Sequence, residues 1–200
     1  IPTCDARDED GNFLWPHDIR PDSEVEDAVT VLRRTLVEQP DNSVVLAVVG
    51  NCVNAAALLD SKPDDISPLT GMELAAAKVK MLSLMGGYYG PMDGSAPKPN
   101  KEGVEANIFW DVPGAAEVFK RWPSEIYISS WELGKQIVFP WFNIQNDFEH
   151  GEKPHPIPVA YRHWSQQKPH DRPCWDLISV LFRVRQDRGY YTVKGPGKVT

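Results

Sequence analysis

Positive charge is scarce in this chain: 21 Lys and Arg stand against 28 Asp and Glu, a net charge of −7. Nucleic-acid affinity rests mainly on Lys and Arg neutralising phosphates, so a phosphate-tracking surface is excluded and no nucleic-acid partner is expected. Long apolar runs are missing too. The longest clean run, "VVLAVV" at 44–49, falls far short of the ~20 residues a membrane helix needs, so no membrane partner is expected. No basic start followed by an apolar stretch reads as a signal peptide. Cysteine is sparse: Cys4, Cys52 and Cys174 lie far apart without C-x-x-C spacing, which favours free thiols over a disulfide frame or a zinc knuckle. His17, His150, His155 and His163 are too scattered to suggest a zinc site. A G-x-G-x-x-G loop, a Walker loop and a G-x-S-x-G elbow are absent, and the tail "GPGK" lacks the Ser or Thr of a phosphate loop.

What is present is ordinary globular composition, 42% hydrophobic and 24% charged over 200 residues, enough to bury a core. We read residues 1–200 as a single domain with no internal repeat and no linker, opened by an irregular, Pro-containing, acidic lead-in over 1–22. Ser23 and Glu26 have capping-box spacing, and Val25, Ala28, Val29, Leu32 and Leu36 follow at helical spacing, predicting a helix over 24–38. "PDNS" breaks it. The β-branched run 44–49 then reads as a strand buried on both faces, as in a parallel sheet. "AAALL" starts another helix, and Thr70 with Glu73 caps the next, "MELAAAKV". "KMLSLMGG" reads as a second buried strand, Asp111 and Pro113 open a helix, and "SEIYISSW" is a third strand. Residues 132–158 read as loop, with helices at about 157–167 and 174–185 and a short strand "GYYTV" after them. Alternating strands and helices predict an α/β fold: an open, mostly parallel sheet with helices on both faces. In such sheets ligands sit beyond the carboxyl ends of the strands, which brings "GNCVN", "MGG" and "SSWE" to one rim.

In "EGVEANIFWDVPGAAEVF", if 104–108 is extended, Glu105 and Asn107 point the same way. A carboxylate acceptor beside an amide suits gripping the vicinal hydroxyls of a sugar. The plainer alternative is a surface Glu and an Asn bonding its own loop. Asn54 reads as a helix cap. Asp176, in "PCWDL", sits in the first turn of a helix, where the dipole favours a carboxylate whatever its use. Trp175 beside it is core or an aromatic platform for a ring, and His170 with Asp171 is a solvated loop pair more readily than a dyad.

Taken in order, these stretches resemble the inosine–uridine preferring nucleoside hydrolase family. "VVLAVVGNCVNAAALL" is similar to that family's strand, G-P-L-T-N turn and helix, and "MLSLMGG" to its strand ending in M-G-G. "EANIFWDVPGAAEVF" is similar to its E-F-N-x-x-x-D-P-x-A-A-x-x-V element. "RPCWDLISVLFRVR" resembles its late Asp-bearing helix, in the branch with Trp-Asp where others have His-Asp. The resemblance runs from about residue 24 to the end. It implies hydrolysis of the N-glycosidic bond of a small-molecule ribonucleoside, with Ca²⁺ as cofactor. It implies that Glu105, Asn107 and Asn100 bind the ribose, that Trp175 stacks on the base, and that Asp176 and the backbone carbonyl of Val53 are calcium ligands. An oxygen-loving ion suits that donor set.

The family's N-terminal D-T-D-P-G-x-D-D cluster, expected to supply most calcium carboxylates and the catalytic base, has no counterpart here. "CDARDED" at 4–10 has acids but no preceding strand and no Pro-Gly turn. The chain is therefore expected to be part of a longer protein whose N-terminal strands lie elsewhere, or to pair with a complementary segment or a second copy. It is expected to be inactive alone. A ribose-binding domain without catalysis and a degenerate relative are the alternatives.

Overall fold

The computed structural model describes residues 2–90, 99, 101–148, 151, 153–166, 168–197 and 199. In chain order the helices and strands are α1 (Pro2–Asp5), α2 (Ala28–Val37), β1 (Val44–Val48), α3 (Val53–Asp60), α4 (Gly71–Lys78), β2 (Val79–Met85), α5 (Ala106–Phe109) and α6 (Val112–Arg121). After these come β3 (Glu125–Ser129), α7 (Trp131–Gln136), β4 (Val138–Phe139), α8 (Trp141–Asn146), α9 (Pro156–Trp164), β5 (Arg172–Pro173) and α10 (Trp175–Val184). The chain divides into two compact units, one of Ile1–Val25 with Ile137–Cys174 and a larger one of Glu26–Gln136 with Trp175–Thr200.

The larger unit is built on a parallel sheet in the order β1-β2-β3. Leu46 pairs with Leu82 and Leu84 with Ile128, so one face of all three strands is aliphatic. Against that face pack Leu36 of α2, Leu58 of α3, Leu74 of α4 and Val118 of α6, all buried. The opposite face carries Met81, Ser83 and Tyr127, and α10 covers it: the Ser83 hydroxyl donates to the Ser179 carbonyl at 2.9 Å, and the Arg183 guanidinium lies 3.9 Å from the centre of the Tyr127 ring. Helices on both faces of a parallel sheet are what the alternation of elements predicts, and the α/β fold is observed.

Capping chemistry explains several boundaries. Thr70 and Glu73 form the predicted reciprocal box, with Thr70 Oγ1 accepting from the Glu73 amide and the Glu73 carboxylate accepting from the Thr70 amide. Asp111 caps α6, accepting from the Gly114 amide, with Pro113 in the first turn. The first long helix departs from expectation. Asp27, not Ser23, caps α2, accepting from the Thr30 amide at 3.0 Å, because Glu26 is taken up in an ion pair with Arg34. Inside the unit, the Arg33 guanidinium reaches both Asp64 oxygens, Ser61 Oγ and the carbonyls of Ser67 and Leu69, which is how a cation comes to be 1% exposed.

Three other expectations are corrected. β1 is not buried on both faces: it is the edge strand, Val45 within it is 38% exposed, and Val49 just after it is 39% exposed. Residues 132–158 are not all loop, since α7 and α8 are six-residue helices, too short for periodicity to register. "GYYTV" forms no strand among the described residues; the Tyr191 ring instead packs edge-on against Phe182.

In the smaller unit, α8 and α9 pack on each other and β4 pairs antiparallel with β5. The Trp15 indole N–H donates to the Pro154 carbonyl, tying the lead-in to this unit. Here the His170–Asp171 pair is structural: the His170 carbonyl accepts from the Tyr161 hydroxyl, and Asp171 accepts from the Trp141 amide at 2.8 Å.

Candidate functional site

Because the three strands run parallel, their carboxyl ends reach one rim: the turn Val49–Val53 after β1, Gly86–Gly87 after β2, and Ser130–Glu132 after β3. The rim is cross-tied. The Gly86 amide donates to the Ser129 carbonyl, and the Trp131 amide donates to the Gly87 carbonyl at 2.9 Å.

Glu105 and Asn107 come to this rim by a route other than the extended one expected. Glu105 is the N-cap of the short helix α5, its Oε1 accepting from the Asn107 amide at 2.9 Å and its Oε2 from the Ile108 amide at 3.2 Å. The same Oε2 accepts from the Gly87 amide at 3.3 Å, and Glu105 is only 4% exposed. Asn107, half-buried, turns to the same place: its Nδ2 donates to the Met85 carbonyl at 3.1 Å and lies 3.2 Å from Met85 Sδ. The carboxylate and the carboxamide thus converge on Met85–Gly87, the carboxyl end of the central strand, because a helix cap and the helix it opens aim them there. Three of the roughly four lone-pair positions of the carboxylate are used by backbone amides, leaving one direction at Oε1.

The turn after β1 approaches the same carboxylate. Cys52, 1% exposed, has its thiol pushed up to about 11 by burial and by the negative charges of Asp111 and Glu105. Asp111 Oδ2 is buried without a hydrogen-bond partner among the described residues, so this corner gathers negative potential. Val53 opens α3, so its carbonyl belongs to the ladder of that helix and points along it. Its side chain is exposed.

α10 delivers the fourth element. The Trp175 indole N–H donates to the Trp131 carbonyl at 3.0 Å, and the ring lies so close to Gly134 that a Cβ there would stand 2.1 Å from Trp175 Cδ1. The amino end of α10 therefore abuts the rim residues that follow β3, and Asp176, in its first turn, is exposed there. Asn100 lies outside the described residues. The structure adds Glu132, the last residue of the rim stretch "SSWE" but not singled out in it: its Oε1 accepts from the Tyr89 amide at 2.6 Å while Oε2 is buried without a partner among the described residues. An acid in a helix's first turn directly after a strand is the signal that could find it.

Calcium takes six to eight oxygen ligands, several of them carboxylates. Among the described residues no three Asp, Glu, His or Cys side chains gather where they could hold a metal. Asp176 offers one carboxylate, and the Val53 carbonyl is engaged along a helix. The described residues do not make up a calcium site by themselves. Among them, no helix is long and apolar enough to cross a membrane.

The family model described as inosine-uridine preferring nucleoside hydrolase matches residues 7–196. Among solved structures, a plant nucleoside hydrolase, the PpNRh1 enzyme, has the same fold, with a TM-score of 0.56 at 17% identity over 86% of this chain. The chain spans 50% of the length of that structure. No curated protein sequence matches.

Proposed function

Because the chain belongs to the inosine-uridine preferring nucleoside hydrolase family, we propose that its larger unit holds the pentose of a ribonucleoside whose N-glycosidic bond is hydrolysed to ribose and free base. The observation that carries this is the convergence of Glu105 and Asn107 on Met85–Gly87 at the carboxyl rim of a parallel sheet. The free direction at Glu105 Oε1 and the Asn107 side-chain oxygen are two acceptors at one spot, the arrangement that suits a vicinal diol. Glycoside cleavage passes through an oxocarbenium-like state, so a carboxylate fixed beforehand by three amide bonds meets the developing positive charge without reorganising. Trp175 has committed its N–H to Trp131, so toward a base it can stack but not donate a proton. Asn100 is proposed as a further ribose contact.

Calcium, with Asp176 and the Val53 carbonyl among its ligands, belongs to this reading for a site completed by other residues; when bound, it would hold the diol and acidify the attacking water. The roles of Glu105, Asn107 and Trp175 do not run through it, and the chain alone is proposed to be inactive. A second reading is favoured by the lack of clustered acids among the described residues: a ribose-binding domain without catalysis.

Calorimetry of the 200-residue chain with ribose, with and without Ca²⁺, tests these readings. Binding with a Kd on the order of 1 mM that is lost in Asn107→Ala is expected. Dependence on Ca²⁺ favours the hydrolase and indifference to it favours the binding domain. No ribose binding under either condition, or binding untouched by Asn107→Ala, removes the pentose pocket. Robust base release from the isolated chain would falsify its inactivity.

A further inference from the structure

We propose that Glu132 is a positioning residue of the candidate site: through the loop after β2 it holds the Glu105 carboxylate in the orientation that a pentose meets. The ligand is that of the sugar-holding reading, on which this part rests. The mechanical link itself stands on hydrogen bonds and contacts alone.

Two carboxylates from different elements grip alternate amides of one loop. Glu105, the cap of α5, accepts from the Gly87 amide at 3.3 Å. Glu132, in the first turn of α7, accepts from the Tyr89 amide at 2.6 Å. Hydrogen bonds to a carboxylate are strongest when short. The tighter hold on the loop is therefore the one from α7.

The two grips are linked through Gly87. Its φ of +81° is a left-handed turn that glycine takes without a steric penalty, and it lets the Tyr89 ring lie over it. A Cβ on Gly87 would stand 3.1 Å from Tyr89 Cε2 and 3.2 Å from the Tyr89 hydroxyl oxygen. Gly86 is as closely bounded, since a Cβ there would stand 3.3 Å from Ile108 Cδ1 and 3.5 Å from Glu105 Oε2. Glu132 fixes Tyr89, the Tyr89 ring bears on Gly87, and the Gly87 amide bears on Glu105. Little slack is left between the two carboxylates.

α7 is a firm base for this hold. Its Trp131 carbonyl accepts from the Trp175 indole, and its Gly134 lies against the Trp175 ring. The Trp131 amide donates to the Gly87 carbonyl at 2.9 Å, which fixes one end of that peptide; without Glu132 the rest of the loop can still turn about it. Stabilising α7 does not require the reach of Glu132, because any acid in the first turn serves the dipole. Burying Oε2 without a partner among the described residues costs free energy that the dipole leaves unexplained. What the length of the side chain adds is the bond to Tyr89.

Three variants of the 200-residue chain separate reach from charge. Glu132→Gln keeps an acceptor oxygen at the same distance without the charge. Glu132→Asp keeps the charge in the first turn of α7 but is one methylene too short to reach the Tyr89 amide. Glu132→Ala keeps neither. In the Asp and Ala variants, amide exchange at both Tyr89 and Gly87 should quicken about tenfold, and the carboxyl carbon resonance of Glu105 should move. Ribose affinity, measured with Ca²⁺ present, should fall about tenfold in the same two variants. The Gln variant should match the parent in all three readouts. Faster exchange confined to Tyr89, an unmoved Glu105 resonance, or a Gln variant that behaves like the Ala variant overturns the proposal. So does an Asp variant that behaves like the parent, since charge rather than reach then matters. Ribose binding by the parent that the Asp and Ala variants keep undiminished overturns it too. If the parent binds no ribose, the pentose reading fails, while exchange and the Glu105 resonance still decide whether Glu132 positions that carboxylate.

Discussion

Replacing Glu105 by alanine tests the geometry on which the sugar-holding reading stands. The side chain accepts three backbone amides, from Asn107, Ile108 and Gly87, at 2.9, 3.2 and 3.3 Å. The first two are the cap of α5, and losing a cap costs about 1 kcal/mol. The third ties the helix to the loop after β2. A hydrogen bond to a charged group contributes about 1.5–3 kcal/mol, and at 4% exposure the orphaned amide has little water to replace its partner. Together the loss should be about 3 kcal/mol. Glu105→Gln is the milder test: the amide oxygen can keep the Gly87 and Ile108 bonds, but its NH₂ then faces the Asn107 amide, donor against donor, for a loss of about 1–2 kcal/mol. Urea unfolding gives the global figure, and amide exchange at Gly87 and Ile108 gives the local one. In the alanine variant both amides should lose about a hundredfold in protection, the equivalent of about 3 kcal/mol at ~1.4 kcal/mol per decade. If both keep wild-type protection, or the alanine variant unfolds within about 0.5 kcal/mol of the parent, Glu105 does not hold the rim. The claim that it is prefixed for a pentose then fails.

Two further outcomes follow from buried groups. Cys52 is 1% exposed with its thiol pushed up to about 11, so at pH 8 only about one part in a thousand is thiolate. A thiol-titrating reagent should therefore count two cysteines in the native chain and three in denaturant; three reacting at equal rates in the native state would refute the burial. Arg33→Met leaves the carbonyls of Ser67 and Leu69 without their buried donor and should cost about 3 kcal/mol in urea unfolding. The Arg33 hydrogen bonds hold the Asp64 carboxyl below its ordinary value of 3.8. The stability this contributes is complete above that value and fades as pH falls through the lower folded value, so the parent should weaken below about pH 4 by a step the variant lacks. Parallel pH profiles for the two proteins would contradict the pairing.

Much of the fold is legible in the sequence because its signals are local and agree with one another. Thr70 and Glu73 are three residues apart before a helical run, and the box forms as written. β2 is apolar but for the exposed Lys80 near its start and the hydrogen-bonded Ser83, and it is flanked by a strand on each side, so composition and environment coincide. The failures have physical causes. Helices of four to six residues, α5, α7 and α8, are shorter than any window in which a 3.6-residue period can register. Hence 104–108 looks extended in the sequence although Glu105 is a cap. The consequence expected of an extended segment, that Glu105 and Asn107 face one place, holds for a different reason, since a cap and the first turn it opens also share a direction. At α2 two overlapping capping signals compete, and Asp27 prevails because Glu26 has a stronger partner in Arg34. Glu132 lies in a stretch placed on the rim, but it does not stand out within it, because an acid in a first turn is favourable whether or not it has a further role.

β1 is a failure of another kind. Its residues are those of a strand buried on both faces, yet Val45 within it and Val49 just after it stand exposed on one face of the sheet. Apolar composition reports the environment a strand is built for. The folded chain shows only the environment its own residues can provide. Where the two agree, as at β2, the chain is sufficient in itself. Where they disagree, as at Val45, composition by itself misreads the strand, because an apolar run reports hydrophobicity and not which of its two faces the fold covers.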